Sequence, residues 1–194
     1  MNKPIILASN SPRRRELLEQ IGLQFTADPA DVDERPLPGE GPEPYALRVA
    51  LDKARVAAGR AGRGIVIAAD TIVVLGEAIL GKPADARDAE RMLALLSGGA
   101  HRVITGLAIV DAETGRTRTG TAVTSVWFRD LSPAEIRSYA ATGEPLDKAG
   151  AYGIQEKGAL LVKKIEGCYF NVVGLPLSLL GDLLREFGIS LLQQ

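Results

Sequence analysis

The stretch Ile65–Leu75 constrains the fold most, because it is apolar at every position except Asp70 and Thr71. A continuous apolar run is typical of a β-strand covered on both faces, whereas a half-exposed strand alternates apolar and polar residues. We therefore expect a strand over Ile65–Ala69 that ends at Asp70 and Thr71, with a further apolar segment over Ile72–Leu75. A chain with such a strand needs other elements on both faces of its sheet.

The rest of the sequence interleaves predicted helices and strands. Apolar residues at helical spacing predict helices, and short apolar or alternating runs predict strands. The predicted helices cover residues 12–20, 47–61, 85–97, 132–142 and 176–187, and the other predicted strands cover 5–8, 101–110, 116–128 and 159–165. Because a turn at Asp111–Gly115 would join two strands as a hairpin, a purely parallel sheet is disfavoured. The sequence predicts an α/β fold with a mixed β-sheet flanked by helices.

Composition and charge limit the classes of function. The chain has 194 residues with 23 Lys and Arg against 24 Asp and Glu, so no overall field would draw it to nucleic acid or a membrane surface. Cys168 and His101 are the sole residues of their types, which excludes an internal disulfide and a Cys/His zinc set. No apolar run is long enough for a signal peptide core or a membrane span, so we expect a cytoplasmic protein.

The segment Ser9–Glu16 joins the first predicted strand to the first predicted helix. Ser11 fits the N-cap position and Pro12 the first helical position. Arg13 and Arg14 then place positive charge in the first turn, where the helix dipole favours anions. A polyanion held by the helix N–H groups and the guanidinium groups would reverse this penalty. The alternative is that both arginines extend into solvent, and the sequence alone leaves the two open.

Asp70 is the strongest single candidate for chemistry. Burying a carboxylate costs several kcal/mol unless it is paired, hydrogen-bonded or bound to metal. In open α/β sheets, ligands collect just beyond the carboxyl ends of strands, so an acid at the end of the Ile65–Ala69 strand favours a site. The alternative is that Asp70 forms a turn with Thr71.

The predicted loop Asp28–Pro44 contains several acids before the second helix. Asp31, Asp33 and Glu34 could hold Mg²⁺ together with Asp70, because hard divalent cations take carboxylate oxygens, waters and phosphate oxygens as ligands. An acidic surface loop explains the same residues.

Two lysines are candidates for contacts with an anion. Lys53 lies at the edge of a helical apolar stripe, and Lys82 lies in the rigid turn Gly81–Pro83. Both positions are equally compatible with a side chain whose stem packs on the protein and whose ammonium extends into solvent.

The segment Asp147–Gln155 combines two glycines with a side chain that can recognise a base. Gly150 and Gly153 let the backbone approach a ligand closely, and the Gln155 amide offers one acceptor and two donors. A structural turn would have a similar sequence. Neither a P-loop nor a GxGxxG pattern is present, so the common nucleotide-binding motifs do not apply.

Several separated motifs together resemble the Maf family of nucleoside triphosphate pyrophosphatases, from Ile6 to about Leu184. They are SNSPRRREL from Ser9, AADTIV at Ala68–Val73, GKP at Gly81–Pro83, DKAGAYGIQ at Asp147–Gln155 and NVVGLPL from Asn171. The resemblance implies one Maf-like domain over residues 1–194. It also implies a mixed sheet with two lobes around a cleft, similar to the inosine triphosphatase fold. A divalent metal, usually Mg²⁺, and a homodimer are further expectations from the family.

The resemblance also implies roles for individual residues. Asp70 would be the proton acceptor, and we assign Glu34 and Asp70 as metal ligands. The residues assigned to substrate binding are Arg13, Thr71 and Gln155, which match positions linked to substrate choice, with Arg14, Lys53, Lys82 and Ser9. One departure is that Glu156 and Lys157 follow Gln155, where the family pattern predicts a glycine first. This affects only the shape of the adjacent loop.

Two hypotheses of function follow from this resemblance. The AGAYGIQ and VVGLPL motifs look like the branch that acts on dTTP and UTP rather than on 7-methyl-GTP, which implies hydrolysis to the monophosphate and pyrophosphate. The alternative is a non-catalytic nucleotide-binding module that regulates septum formation. Only the enzyme would release pyrophosphate in a metal-dependent manner.

Overall fold

The computed structural model describes residues 3–192, and this part of the chain contains seven β-strands and six α-helices. The strands are β1 Ile5–Leu7, β2 Thr26–Ala27, β3 Ile65–Leu75, β4 Ala78–Leu80, β5 Ala100–Asp111, β6 Thr117–Phe128 and β7 Val162–Glu166. The helices are α1 Pro12–Gln20, α2 Pro42–Ala61, α3 Ala86–Leu96, α4 Pro133–Ala140, α5 Tyr169–Val173 and α6 Leu177–Arg185. Short 3₁₀ segments cover Glu144–Asp147, Ala149–Ala151 and Glu156–Leu161. None of these helices has both the length and the apolar character needed to cross a bilayer.

The strands form one mixed sheet in the order β2-β1-β3-β5-β6-β7, with β4 paired to β3 outside this path. The β1 strand pairs in parallel with both β2 and β3. The β4 strand is antiparallel to β3, and β7 is antiparallel to β6. The predicted fold class, a mixed sheet flanked by helices, is therefore confirmed.

The chain divides into two compact units. The first unit comprises the chain up to Asp70, residues 105–122, and the chain from Gly174 onward; the second comprises residues 71–104 and 123–173. Each of β3, β5 and β6 contributes residues to both units. The expectation of one domain over residues 1–194 stays a prediction.

The core of the first unit is built from small side chains on α2 packed against strands. The buried members are Ala50, Ala54, Ala57 and Ala58 from α2, with Ile6, Ala8, Val66, Ala68, Ala108 and Val110. Small residues let a helix lie close to a sheet, and Gly106 in β5 shows how close the approach is. A Cβ atom at Gly106 would lie 2.3 Å from the carbonyl oxygen of Ala46 in α2. This packing fixes the position of α2, which carries Lys53.

The core of the second unit uses larger side chains. The α3 and α4 helices contribute Met92, Leu93, Leu96, Ile136 and Tyr139, which pack with Val73, Val103, Phe128, Tyr152 and Leu161. Along β6 the side chains alternate as predicted, with Thr124, Val126 and Phe128 buried and the residues between them half-buried. Two members of this core, Tyr152 and Leu161, flank the segment that carries Gln155.

One prediction about the central strand was wrong. The β3 strand does not end at Asp70 and Thr71 but runs without interruption from Ile65 to Leu75. Its last residues pair with β4, since Val73 faces Leu80 and Leu75 faces Ala78. Asp70 therefore lies inside a strand, and neither the strand-end argument nor the turn alternative describes it.

Other boundaries differ from the predictions by a few residues. The α2 helix begins at Pro42 rather than after Pro44, because prolines in a first turn lack only N–H groups that have no helical partner. The β7 strand begins at Val162 rather than at residue 159, since residues 156–161 form 3₁₀ turns. The short α5 helix was not predicted.

Candidate functional site

The start of α1 forms as the sequence predicts. Ser11 is the N-cap, its side chain accepts a hydrogen bond from the backbone N–H of Arg14 at 3.5 Å, and Pro12 begins the helix. Ser9 lies just before this cap, is 8% exposed, and accepts from the backbone N–H of Ser11 at 3.2 Å. No acidic residue lies in the first turn. The positive end of the helix therefore has no carboxylate within that turn.

Arg14 is held in place from two sides. Its Nη1 donates to Ser9 Oγ at 3.1 Å, and its Nε donates to the backbone carbonyl oxygen of Gly174 at 2.8 Å. Burial lowers the pKa of the Arg14 guanidinium, the negative charges of Asp70 and Glu34 raise it, and the charge of Arg13 lowers it. These four residues, all in the first unit, thus share one electrostatic environment. That the N-terminal arginines and Asp70 form one substrate site stays a prediction.

Asp70 lies within β3, is 8% exposed, and is paired with Lys53 of α2. The distance from Lys53 Nζ to Asp70 Oδ1 is 2.8 Å. An acid in an otherwise apolar strand needs such a partner, because an unpaired buried charge is strongly destabilising. The strand and the helix that hold this pair are both packed into the core of the first unit. The Asp70 side chain is therefore positioned by regular structure on both sides.

Glu34 reaches the same ammonium group from the loop before α2. Its Oε1 lies 2.7 Å from Lys53 Nζ, although its side chain is 56% exposed. The Tyr45 hydroxyl donates to the backbone carbonyl oxygen of Glu34 at 2.6 Å. Burial, and then the charges of Asp70 and Glu34, raise the pKa of Tyr45. Tyr45 thus fixes the loop at the residue that contacts Lys53.

Glu34 and Asp70 are carboxylates of the kind that Mg²⁺ takes as ligands. Glu34 Oε1 and Asp70 Oδ1 both contact Lys53 Nζ, so the ammonium group occupies the place between these two oxygens. Within residues 3–192 no group of three or more Asp, Glu, His and Cys side chains is arranged to hold a metal ion. Mg²⁺ commonly takes one or two carboxylates and fills its remaining positions with water and phosphate oxygens. Asp33 is engaged elsewhere, because its carboxylate binds Arg35 at 2.6 Å.

The remaining predicted site residues lie in the second unit. Thr71 follows Asp70 directly in β3 and is half-buried, Lys82 is exposed, and Gln155 is half-buried just before the 3₁₀ segment Glu156–Leu161. The backbone N–H of Gly150 donates to the carbonyl oxygen of Gly81 at 3.0 Å. Within the second unit, the segment that carries Lys82 is thereby tied to the glycine-rich segment before Gln155.

Sequence reasoning missed several groups that build the site. Tyr45 and the carbonyl of Gly174 gave no separate signal, although Gly174 lies in one of the motifs of the family resemblance. The side chains of two further residues, Tyr139 and Glu144, accept hydrogen bonds from backbone N–H groups of the loop that carries Gln155. Such contacts depend on the fold, because a side chain that binds a distant backbone group leaves no local sequence pattern.

Comparison with known proteins identifies the family. The family model for Maf-like protein matches residues 4–187. The dTTP/UTP pyrophosphatase of Geobacter sp. (strain M21) is 54% identical over 187 residues, which cover 96% of this chain and 97% of that protein. The protein of the same name from Syntrophomonas wolfei subsp. wolfei is 48% identical over 187 residues, which cover 96% of this chain and 99% of that protein. The chain therefore belongs to the Maf family.

Similarity extends to a protein of Methanosarcina barkeri and to the solved structure of a HAM1 protein. The dTTP/UTP pyrophosphatase of Methanosarcina barkeri is 47% identical over 193 residues, which cover 99% of this chain and 98% of that protein. A HAM1 protein structure from Coxiella burnetii matches with a TM-score of 0.49 and 19% identity, covering 66% of this chain and 73% of that one.

Proposed function

We propose that the protein hydrolyses dTTP and UTP between the α and β phosphorus atoms, releasing the nucleoside monophosphate and pyrophosphate. Relatives that are 47–54% identical over nearly the whole chain carry the name dTTP/UTP pyrophosphatase. The observation that carries the proposal is the placement of Asp70: a buried acid that is paired with Lys53 and whose charge acts on Arg14 in the first turn of α1.

The cations of the first unit suit a triphosphate. Phosphoryl transfer depends mainly on positioning and on neutralising charge. Arg14 is anchored through Ser9 and Gly174, so its guanidinium can present a fixed set of donors to phosphate oxygens. Arg13 and the N–H groups of the first turn of α1 would add to this attraction. We assign Lys53, and also Lys82 of the second unit, to binding phosphate oxygens.

Asp70 would act as the base for the attacking water. A carboxylate held by regular structure can orient a water molecule and accept its proton without moving. Lys53 would keep its ammonium beside the acid and neutralise charge that develops on the phosphate. Thr71, the next residue in β3, belongs to the residues that we assign to substrate choice.

Glu34 and Asp70 would hold a divalent cation, which we propose to be Mg²⁺. The ion would neutralise charge on the triphosphate oxygens and help to orient them. Glu34 reaches this position from a loop whose carbonyl is fixed by Tyr45, whereas Asp70 reaches it from a strand.

Gln155 would select the base. Its amide oxygen can accept from the N3–H of uracil or thymine, and its amide nitrogen can donate to a ring carbonyl. Cytosine lacks the N3–H, so its binding would leave a polar group of the site without a partner. Such unpaired groups are an effective means of rejecting an analogue.

A substrate panel tests the proposal. Pyrophosphate release is measured for dTTP, UTP, CTP, dCTP and 7-methyl-GTP, with Mg²⁺ and with EDTA. We expect turnover of dTTP and UTP that requires the metal, and slower turnover of the other nucleotides. Nucleotide binding without pyrophosphate release would instead support the non-catalytic regulator of septum formation.

A further inference from the structure

The loop of Gln155 is held at both ends by one pair of side chains. Tyr139, in α4, accepts a hydrogen bond at its hydroxyl from the backbone N–H of Gly153 at 3.2 Å. Glu144 Oε1 accepts from the backbone N–H of Gly158 at 3.1 Å. The Tyr139 hydroxyl itself donates to the same Glu144 oxygen at 2.9 Å. The four groups form one continuous bridge, which we call the Tyr139–Glu144 clamp.

The clamp spans the residue that we assign to base selection. Gly153 lies two positions before Gln155 and Gly158 three positions after it. The two ends also touch each other, since a Cβ atom at Gly158 would lie 1.9 Å from the carbonyl oxygen of Gly153. Residues 153–158 therefore form a closed loop that contains Gln155. The clamp fixes the backbone N–H groups of Gly153 and Gly158, where the two ends of this loop meet.

The protonation of Tyr139 sets the direction of the bonds in the clamp. Burial raises the pKa of the Tyr139 phenol, and Glu144 raises it further, so the hydroxyl keeps its proton at neutral pH. A carboxylate oxygen can only accept. The phenol proton therefore points to Glu144, and the phenol oxygen presents a lone pair to the N–H of Gly153.

The backbone beside Gln155 depends on such support. Glu156 has a φ of +52°, in the left-handed region that side chains rarely adopt. A residue held in this region persists only where its surroundings determine the conformation. The clamp and the contact between Gly153 and Gly158 supply that constraint directly around Glu156. Without the clamp, the loop could relax and Gln155 would move with it.

We propose that Tyr139 and Glu144 are positioning residues for base selection, which hold the Gln155 amide where it can distinguish UTP and dTTP from CTP. This inference rests on the proposed function, because it needs a triphosphate substrate whose base Gln155 contacts. Neither residue is assigned a contact with substrate. Their effect passes through the backbone N–H groups of Gly153 and Gly158 to the position of the amide, and hydrogen-bond recognition is sensitive to small displacements of the recognising group.

The test compares kcat/KM for UTP and CTP in matched variants. Tyr139→Phe removes the hydroxyl and keeps the ring, and Glu144→Ala removes the carboxylate. For each we expect the ratio of kcat/KM for UTP to that for CTP to fall about fivefold to tenfold, the equivalent of one lost hydrogen bond. Most of the change should appear in the KM for UTP. Glu144→Gln keeps an oxygen acceptor and should retain most of the discrimination.

Ser132→Ala is the matched control for stability. Ser132 caps α4, the helix that carries Tyr139, through bonds with Glu135 and without contact to the loop. It should lower the thermal midpoint of unfolding and leave the UTP to CTP ratio unchanged. An equal loss of discrimination in Ser132→Ala would overturn the inference, because general loosening of α4 would then explain the effect.

The possible results separate this inference from the proposed function. A wild-type protein that releases no pyrophosphate, or that does not prefer UTP to CTP, contradicts the proposed function. If wild type prefers UTP and Gln155→Ala loses that preference, while Tyr139→Phe and Glu144→Ala keep it, the positioning role is wrong. If Gln155→Ala keeps the preference, the role of Gln155 and of the clamp are both wrong. Should Tyr139→Phe fail to fold, the comparison of Glu144→Ala with Glu144→Gln decides the outcome.

Discussion

The two units hold their candidate residues by different means. In the first unit, Asp70 lies in a long strand and Lys53 in a long helix, and an ion pair of 2.8 Å joins them. In the second unit, Gln155 lies in a loop whose shape is fixed by side chains that bind its backbone, with Gly153 and Gly158 as the held residues. Regular structure suits the chemistry assigned to Asp70 and Lys53, which requires charges at fixed positions. A clamped loop allows the base-selecting residue to change without disturbing that pair.

This comparison implies that changes to the pair of Asp70 and Lys53 should affect turnover of every substrate, whereas changes to the loop of Gln155 should affect the choice between substrates. Substitutions in either unit can also lower stability. The following substitutions and conditions probe the difference.

Asp70→Asn should give the largest effect. The amide is nearly the same size but cannot accept the proton of a water, so turnover of dTTP and UTP should fall by about 10²–10⁴-fold. Because the side chain keeps an oxygen for Lys53, the protein should remain folded by circular dichroism. The measurement is pyrophosphate release with Mg²⁺ at saturating nucleotide. A rate near that of wild type would show that Asp70 is not the base.

Lys53→Met should be the largest effect on stability. Removing the ammonium leaves the Asp70 carboxylate, which is 8% exposed, without this partner. Loss of one member of a buried ion pair lowers the free energy of unfolding by about 3–5 kcal/mol. We expect a value near the lower limit, because the second partner of Lys53, Glu34, is partly exposed and water can solvate its carboxylate. Urea unfolding measures it. Lys164→Met is the matched control, because Lys164 pairs with Glu166 at 3.2 Å with both side chains exposed, and it should cost less than about 1 kcal/mol.

Gly158→Ala tests how tightly the loop of the second unit closes. The added methyl would lie 1.9 Å from the carbonyl oxygen of Gly153 and 2.7 Å from the Tyr139 hydroxyl oxygen. We expect a loss of about 1–3 kcal/mol in the free energy of unfolding, as for other overpacked sites. Gly181→Ala in α6 is the control, since a Cβ atom there meets nothing within 4 Å. It should stabilise the protein slightly, because alanine favours a helix over glycine.

The smallest expected effect is a dependence of stability on pH from His101 in the second unit. Burial lowers the pKa of His101 from 6.5 to about 4. Between these values the unfolded chain binds more protons than the folded protein, so stability rises with pH and is lost as pH falls below 6.5. We expect a loss of about 1 kcal/mol between pH 7.5 and 5.5 from this residue.

Urea unfolding at pH 7.5, 6.5 and 5.5 measures this dependence on wild type and on His101→Gln. The difference between the two curves isolates the contribution of His101, because the carboxylates are common to both. Parallel curves would contradict the role assigned to burial.

The parts of the structure that follow from neighbouring residues were predictable from the sequence. Ser11 and Pro12 define the start of α1 because capping depends on residues within one turn. The α3 helix, from Ala86 to Leu96, begins after the Asp85 cap for the same reason. The alternation at the end of β6 likewise follows from the period of a strand.

The parts that depend on distant residues were not predictable in this way. The β3 strand continues past Asp70 because β4 pairs with its last residues. The preference of Asp and Thr for turns is a local property and takes no account of such pairing. The contact of Glu34 with Lys53 joins a loop to a helix, and the clamp of Tyr139 and Glu144 binds backbone groups. For the site, the sequence indicated the residue types and the family resemblance indicated their roles, whereas the supporting contacts required the fold.

The bond from Arg14 to the carbonyl of Gly174 has a consequence for synthesis of the protein. It connects positions 160 residues apart along the chain. During translation the acceptor carbonyl emerges from the ribosome only after a further 160 residues have followed the arginine. A nascent chain would therefore lack a fixed guanidinium at this position until late in its production, and we expect nucleotide affinity to develop only after residue 174 has been released.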